Sequence, residues 1–250
     1  MPGAYAHITL VNQLKEPRRL EKIPGFPHEV IPAVLKFFKF CELGAVSPDY
    51  PYLAIGDEGA KRWADIMHGV VHGNSRVGEI IHAGVGCLKN MKGNARKKGL
   101  AWLLGFTAHV ATDVTIHPVV ELKVGQYEGN EKPHRICEMH QDAHIFPRLN
   151  LGDIGLSEHL DTGIAACRDA SDHDRLDRDI VTLWEGILRD VHPEEFAVNP
   201  PNIDKWHRRF QFVIDKIAEE GGRLIPFARH LAVDSGVMYP AKEDIDPQFI

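Results

Sequence analysis

The chain has 250 residues, 44% of them apolar and 26% charged, a balance typical of folded globular proteins that excludes extended disorder. Its formal net charge is −6 and no block of lysine and arginine is long, so we expect no nucleic acid bound in a groove. The N-terminus lacks the features of a signal peptide, and no apolar run approaches about 18 residues. We therefore expect a cytoplasmic protein without a transmembrane anchor.

Histidine, and not cysteine, is the metal-binding residue type in which the chain is rich. The four cysteines lie far apart with no Cys-x-x-Cys pair, which indicates neither a disulfide framework nor a thiolate zinc site. Eight of the fifteen histidines fall between residues 68 and 144. Because neutral imidazole is the commonest metal ligand in proteins, this segment is the first candidate for a metal site.

Apolar residues recur at intervals of three and four along most of the chain, and strand-like alternation is nearly absent. The pattern predicts an all-α fold. Helices are predicted at residues 28–42, 58–71, 76–91, 95–117, 134–146, 157–168, 177–191 and 203–221.

One proline-rich stretch interrupts this series. Pro193, Pro200 and Pro201 forbid a continuous helix across residues 192–202, which we interpret as a loop. The residues beyond it are too few for a core of their own. We predict a single all-helical domain over residues 1–250, divided into a metal-site region at about 4–147, C-terminal helices at about 148–235 and an extended tail at 238–250.

The stretch GFTAHVATDVTIHPVV places His109, Asp113 and His117 at intervals of four in an apolar run. Four helical residues advance about 6 Å and rotate about 40° off a whole turn, so the three side chains share one face. His109 and His117 are then about 12 Å apart along the axis, whereas a zinc–nitrogen bond measures about 2 Å. We expect them to serve different metal ions. Pro118 pushes the residue before it out of helical geometry, so we expect His117 at or just past the helix end.

The next predicted helix, in PHRICEMHQDAH, carries two more pairs. His134 and Glu138 have the i, i+4 spacing that brings two side chains to one ion, and His140 and His144 repeat that spacing. The pairs point in different directions, so only one of them faces the His117 end, and spacing does not choose between them. The alternative without a metal is the polar face of an amphipathic helix.

Further candidates are isolated in the sequence. Asp49 lies in GAVSPDYPYL between prolines and tyrosines, and is either a turn former or a site residue. RWADIMHGVVH offers His68 and His72, four residues apart on a predicted helix. His7 lies among apolar residues, where a hydrogen-bonded core histidine is the usual explanation.

Five fragments in order, AHITLVNQL, GAVSPDYPYL, ADIMH, LLGFTAHVATDVTIHP and HRICE, resemble the zinc-dependent phospholipase C family. This all-α phosphoesterase group includes the catalytic region of glycosylphosphatidylinositol-specific phospholipase D. The resemblance covers about residues 4–147 and implies a multi-helix domain of the phospholipase C and P1 nuclease type. Its strongest piece is Gly-x-x-x-His-x-x-x-Asp followed by His-Pro.

The resemblance also implies two or three zinc ions, although other transition metals suit histidine and carboxylate ligands too. By position it assigns as ligands His7, Asp49, His68, His109, Asp113, His117, His134 and Glu138. Asp113 would bridge two ions, whereas a separate ion would be held by His117, His134 and Glu138. Asp49 is the general base or a ligand. His72 is an alternative to His68. The Met-His context of His68 favours His68 as the ligand.

The implied activity is hydrolysis of a phosphodiester or phosphomonoester by metal-activated water, with a phosphate-ester small molecule or a lipid headgroup as substrate. Two alternatives stay open. One is a protein of this fold that binds metal without catalysis. The other is a helical phosphohydrolase of the HD type, whose contiguous pair occurs here only as His173-Asp174 in a charged segment.

Overall fold

The structure, a computed structural model, describes residues 4–54, 56–69, 76–149, 163–220 and 239–250. The protein is all-α, as predicted. The described residues form the α-helices α1 Ala4–Asn12, α2 Pro17–Glu21, α3 Ile31–Lys36, α4 Phe38–Val46, α5 Glu58–Met67, α6 Val77–Asn90, α7 Gly93–Val124, α8 Glu131–Ile145, α9 Arg178–Val191, α10 Pro193–Val198 and α11 Ile203–Glu220. Among the described residues the only β-type pairing is an isolated bridge between Arg168 and Leu176.

Helix α7 is the central element, and its closest neighbour is α4. The two backbones touch at a pair of glycines: a Cβ on Gly105 would overlap the carbonyl oxygen of Cys41, and a Cβ on Gly44 would overlap that of Trp102. Only glycine permits so close an approach. The contact brings the carbonyl groups of α4 within reach of side chains on α7.

Helix α7 is also long and apolar enough, by length and composition alone, to cross a membrane. Core helices of folded proteins share this property. Here α7 contacts α1, α3, α4, α6, α8 and α9, and the buried Trp102 and Phe106 lie in the main hydrophobic cluster. These contacts are those of a core helix.

The prediction that the central helix ends near His117 is wrong. Helix α7 continues through Pro118 to Val124 and ends at Gly125, whose φ of 90° favours glycine. A proline within a helix removes one backbone hydrogen bond and strains the preceding turn, but it does not always end the helix. The actual stop signal was Gly125.

Other helix boundaries also differ from the predicted ones. The helix predicted at 28–42 is broken at Phe37, whose φ of −112° and ψ of 29° lie outside the helical region, and we find no sequence signal for this break. The helix predicted at 58–71 ends at Met67, because Gly69 adopts a φ of 72°. The predicted loop at 192–202 contains α10, which Pro193 begins at a position where a missing N–H does no harm.

Three short segments also differ from the predicted series of helices. Helices α1 and α2 were absent from the periodicity-based series. Of the helix predicted at 157–168, residues 157–162 lie outside the described residues, and Ala165–Cys167 forms a 3-10 helix. The described part of the predicted tail, 239–250, forms 3-10 helices at Lys242–Asp244 and Pro247–Phe249 and contacts α8.

Candidate metal centre

Five of the predicted ligands come together from four separate elements, and we call them the central group. They are His7 on α1, Asp49 in the 3-10 helix Ser47–Leu53, His68 after the end of α5, and His109 and Asp113 on α7. Two subsets have ligand atoms that all lie within 4.8 Å of one another: His7, Asp49 and His109, and His68, His109 and Asp113. His109 belongs to both subsets.

Backbone carbonyls orient two of these histidines. His68 donates from Nδ1 to the carbonyl oxygen of Ala64, and His109 donates from Nδ1 to that of Ala45, each at 2.8 Å. Each Nδ1 therefore carries a proton, so Nε2 is the nitrogen of each ring that is left for a metal. The two Nε2 atoms lie 3.1 Å apart. Both Nε2 atoms can bind a cation placed beside them once neither carries a proton.

His7 is held differently. It is 1% exposed and stacks on His109 with ring centroids 3.9 Å apart. Neither of its ring nitrogens has a hydrogen-bond partner among the described residues, and its Nε2 lies 3.4 Å from Oδ1 of Asp113. Burial, with His109 nearby, lowers the pKa of His7 to about 3. His7 is thus neutral at physiological pH, with a free lone pair in a buried site.

The carboxylate of Asp113 lies between the histidines. Its Oδ2 is 3.2 Å from Nε2 of His109 and 3.9 Å from that of His68, while Oδ1 faces His7. Burial alone would raise the pKa of Asp113, but the hydrogen bond from His109 and the neighbouring histidines bring it below its ordinary value. The ionised carboxylate can therefore face two ions at once.

Asp49 contributes the second carboxylate. Its Oδ1 lies 3.2 Å from Nε2 of His68, and its side chain is 24% exposed against 16% for Asp113. Burial alone would raise the pKa of Asp49, but His109 and His68 lower it by more than burial raises it, so the net shift is downward. Asp49 is thus an ionised carboxylate with access to solvent.

Side chains outside the sequence prediction fix the segment that carries Asp49. Trp102 donates to Oγ of Ser47 at 2.8 Å, which ties the segment to α7. The hydroxyl of Tyr50 lies 3.3 Å from Nδ1 of the buried His207 on α11. The Ser-Pro-Asp-Tyr run indicated a turn, but no sequence signal pointed to His207 as its partner.

The remaining three predicted ligands, His117, His134 and Glu138, form what we call the distal trio. Among the described residues, none of them belongs to a group of three or more residues whose ligand atoms all lie within 4.8 Å of one another. His117 Nε2 and His134 Nδ1 are nevertheless buried without a hydrogen-bond partner there, and His134 Nε2 donates to the carbonyl oxygen of Gly125 at 2.7 Å. Burial raises the pKa of Glu138 well above its ordinary value.

The alternative ligands occupy other positions. His72 lies outside the described residues. His140 is buried, but its Nδ1 accepts a hydrogen bond from the backbone N–H of Asp246 in the C-terminal segment. His144 is exposed. Of the two pairs on α8, His134 and Glu138 are the one with both side chains buried.

The donor set of the central group fits a divalent transition metal. Three imidazoles and two carboxylates converge, and buried His7 nitrogens and Asp113 Oδ1 lack hydrogen-bond partners among the described residues. Zinc is bound in proteins by ligands of these types. The carbonyl oxygens that hold His68 and His109 are the kind of outer contact that metal-ligating histidines usually make.

Comparison with known proteins decides the family. The family model for zinc-dependent phospholipase C matches residues 6–194. The chain belongs to the zinc-dependent phospholipase C family. The match extends past residue 147, where the sequence fragments ended, through α9 and into α10. No curated protein and no solved structure gives a significant match.

Membership shows a zinc-dependent hydrolase family with an all-α fold and with phosphoesters or lipids as its class of substrates. All five residues of the central group lie within the matched range, as does the distal trio. The family therefore supports zinc as the metal for this donor set.

Proposed function

We propose that the protein is a zinc-dependent phosphoesterase that hydrolyses a phosphodiester or phosphomonoester in its central group. The observation that carries the proposal is the convergence of three histidines and two carboxylates from four elements, with unpartnered buried nitrogens on His7. Bound zinc ions supply an activated water at near-neutral pH and neutralise charge on the ester oxygens.

The chain's own residues would prepare the site for this chemistry. The carbonyl oxygens of Ala64 and Ala45 fix the tautomers of His68 and His109, so that both Nε2 atoms face inward. Asp113 would bridge two ions, since its two oxygens face different histidines. The distal trio would hold a further ion if its side chains converge when the metal binds.

Asp49 is the candidate general base, because its carboxylate combines contact with His68 and the greater exposure of the two acidic side chains. It can also serve as a ligand, since it lies within one of the two converging subsets. Substitution by asparagine separates the roles. If Asp49 acts only as the base, the asparagine variant keeps zinc and loses hydrolysis. If Asp49 is a metal ligand, the variant loses zinc.

The test is hydrolysis of bis(4-nitrophenyl) phosphate and 4-nitrophenyl phosphate by metal-free and zinc-reconstituted protein. We expect hydrolysis only after zinc is restored, loss of it in His109→Ala, and no change in His82→Asn, which alters an exposed histidine on α6. Full zinc loading without hydrolysis of either ester would contradict the proposal and favour a metal-binding protein without catalysis.

A further inference from the structure

Asp142 lies on α8, one turn beyond Glu138, and neither the spacing rules nor the family resemblance gave it a role. It is 0% exposed, and an unpaired carboxyl group at such a depth is strongly unfavourable. Its three donors explain why it is tolerated. Its Oδ2 accepts from the backbone N–H of Tyr5 at 3.0 Å, Oδ1 accepts from that of Ala6 at 2.7 Å, and the hydroxyl of Tyr239 donates to Oδ2 at 3.2 Å.

The two backbone donors belong to the first turn of α1. The first four N–H groups of an α-helix have no partner within the helix, and a carboxylate placed there satisfies them and interacts favourably with the helix dipole. Asp142 therefore caps α1 from another helix, across 136 positions of sequence. The residue that follows Ala6 is His7.

His7 depends on this cap more than the other histidines of the central group do. His68 and His109 each have an Nδ1 fixed by a carbonyl oxygen, whereas neither nitrogen of His7 has a hydrogen-bond partner among the described residues. Its ring position follows from the placement of α1 and from stacking on His109. A shift of α1 would move His7 with no side-chain hydrogen bond to resist it.

The C-terminal segment contacts both Asp142 and α1. The ring of Tyr239 packs on that of Tyr5 with centroids 5.1 Å apart, while its hydroxyl bonds to Asp142. Farther along, Gln141 donates to the carbonyl oxygen of Phe249 at 3.0 Å. Tyr239 lies beyond residue 194, where the family match ends, so this support comes from a part of the chain that the family model does not cover.

We infer that Asp142, supported by Tyr239, is a positioning residue that fixes the first turn of α1 and thereby places His7 for metal binding. The inference rests on the proposed metal centre and extends it to residues that touch no ligand atom. The premise that Asp142 fixes the first turn of α1 does not depend on metal and can be tested in metal-free protein.

The experiment compares wild type, Asp142→Asn, His7→Ala and the double variant. An asparagine amide presents an NH₂ group where one carboxylate oxygen accepted a bond, so at least one backbone N–H of α1 loses its acceptor. Measurements at pH 8 keep the carboxylate ionised, because burial raises the pKa of Asp142 to about 7 despite its three donors. Gln141→Ala is the matched control, since it removes a contact to the C-terminal segment and leaves the cap intact.

Two readouts are needed. In metal-free protein, amide hydrogen exchange of residues 4–12 should be faster in Asp142→Asn and unchanged in Gln141→Ala. Zinc affinity, measured by competition with a chromophoric chelator, should fall about tenfold in Asp142→Asn. In the His7→Ala background the same substitution should cause no further loss, because the residue that it positions is gone.

The outcomes separate this inference from the proposed function. Wild-type zinc affinity in Asp142→Asn, or an equal loss in both backgrounds, overturns the inference and leaves the metal centre standing. A wild-type protein that binds no zinc overturns both. If Asp142→Asn does not fold, Tyr239→Phe decides by the same criteria, with a smaller change expected because the cap keeps both backbone bonds.

Discussion

The central group and the distal trio contain the same residue types, yet only the central group has converged. His7, Asp49, His68, His109 and Asp113 offer ligand atoms within 4.8 Å of one another in two overlapping subsets, whereas no such group among the described residues includes His117, His134 or Glu138. Both regions are substantially buried and both contain imidazole nitrogens without a hydrogen-bond partner there. Residue type and burial alone do not produce a metal site.

Backbone packing accounts for the difference. The central group lies where α4 and α7 touch at Gly44 and Gly105, which places the carbonyl oxygen of Ala45 against His109. In the distal trio, His134 Nε2 is engaged by the carbonyl oxygen of Gly125, at the end of α7. A close helix contact organises the first set, whereas in the second the carbonyl oxygen at the end of α7 orients His134 and leaves its Nδ1 without a partner among the described residues.

The largest expected effect is that of Gly105→Ala, which breaks the contact beneath the central group. The added methyl group would overlap the carbonyl oxygen of Cys41, and backbone cannot move aside as a flexible side chain can. We expect the free energy of unfolding to fall by about 3 kcal/mol, with loss of zinc from the central group. Chemical denaturation and metal analysis measure the two effects.

The matched control is Gly86→Ala on α6, where an added Cβ meets nothing within 4 Å. It should leave zinc unchanged and stabilise the helix by up to about 1 kcal/mol, because alanine favours helix over glycine. Similar destabilisation by both substitutions would refute the role given to the helix contact.

The next effect concerns the distal trio. If these residues hold an ion of their own, His134→Ala should lower the zinc content by one ion per chain and leave the central group loaded. The reason is that His134 shares no converging group with the central residues among those described. Elemental analysis after dialysis provides the count. Loss of all zinc would show that the two regions act as one.

Acidification should release zinc reversibly from the central group. Burial would lower the pKa of His109, but Asp49 and the hydrogen-bonded Asp113 raise it above its ordinary value of about 6.5. Protons therefore compete with metal for its Nε2 as the pH falls through that range, whereas His7, with a pKa of about 3, stays neutral. A chromophoric chelator follows the release, and full zinc retention at pH 4 is the contrary result.

The smallest effect is expected for Tyr50→Phe. The substitution keeps the ring that packs against Phe210 and removes only the hydroxyl that lies 3.3 Å from Nδ1 of His207. We expect a loss of about 1 kcal/mol in the free energy of unfolding and little change in zinc affinity. A large loss of zinc would show that this hydrogen bond, and not ring packing, fixes Asp49.

Helical spacing predicts the part of the site that lies on one helix. It does not predict the contacts between residues on different elements. The interval of four predicted that His109 and Asp113 share a face, and their Nε2 and Oδ2 atoms lie 3.2 Å apart. No periodicity rule could bring His7, Asp49 and His68 to them, and only the ordered fragments of the family suggested it. Convergence depends on contacts across more than 40 residues of sequence, such as that of His109 with His68.

The same limit explains what sequence reasoning missed. By the local rule on the residue before a proline, Pro118 predicts a helix end, yet the helix runs on to Gly125. No local pattern singles out Asp142 on α8, since its partners on α1 are 136 and 137 positions away. Local rules predicted most helices, but the caps and close contacts that position His7 and His109 arise only in the folded chain.

The most direct test of the metal centre is the zinc content per chain of protein purified without affinity tags or chelators, compared with that of Asp113→Asn. We predict two or three tightly held zinc ions in the native protein and loss of zinc from the central group in the variant, because Asp113 faces both sets of histidines. Native protein without stoichiometric metal, together with a variant that folds normally, would contradict the account.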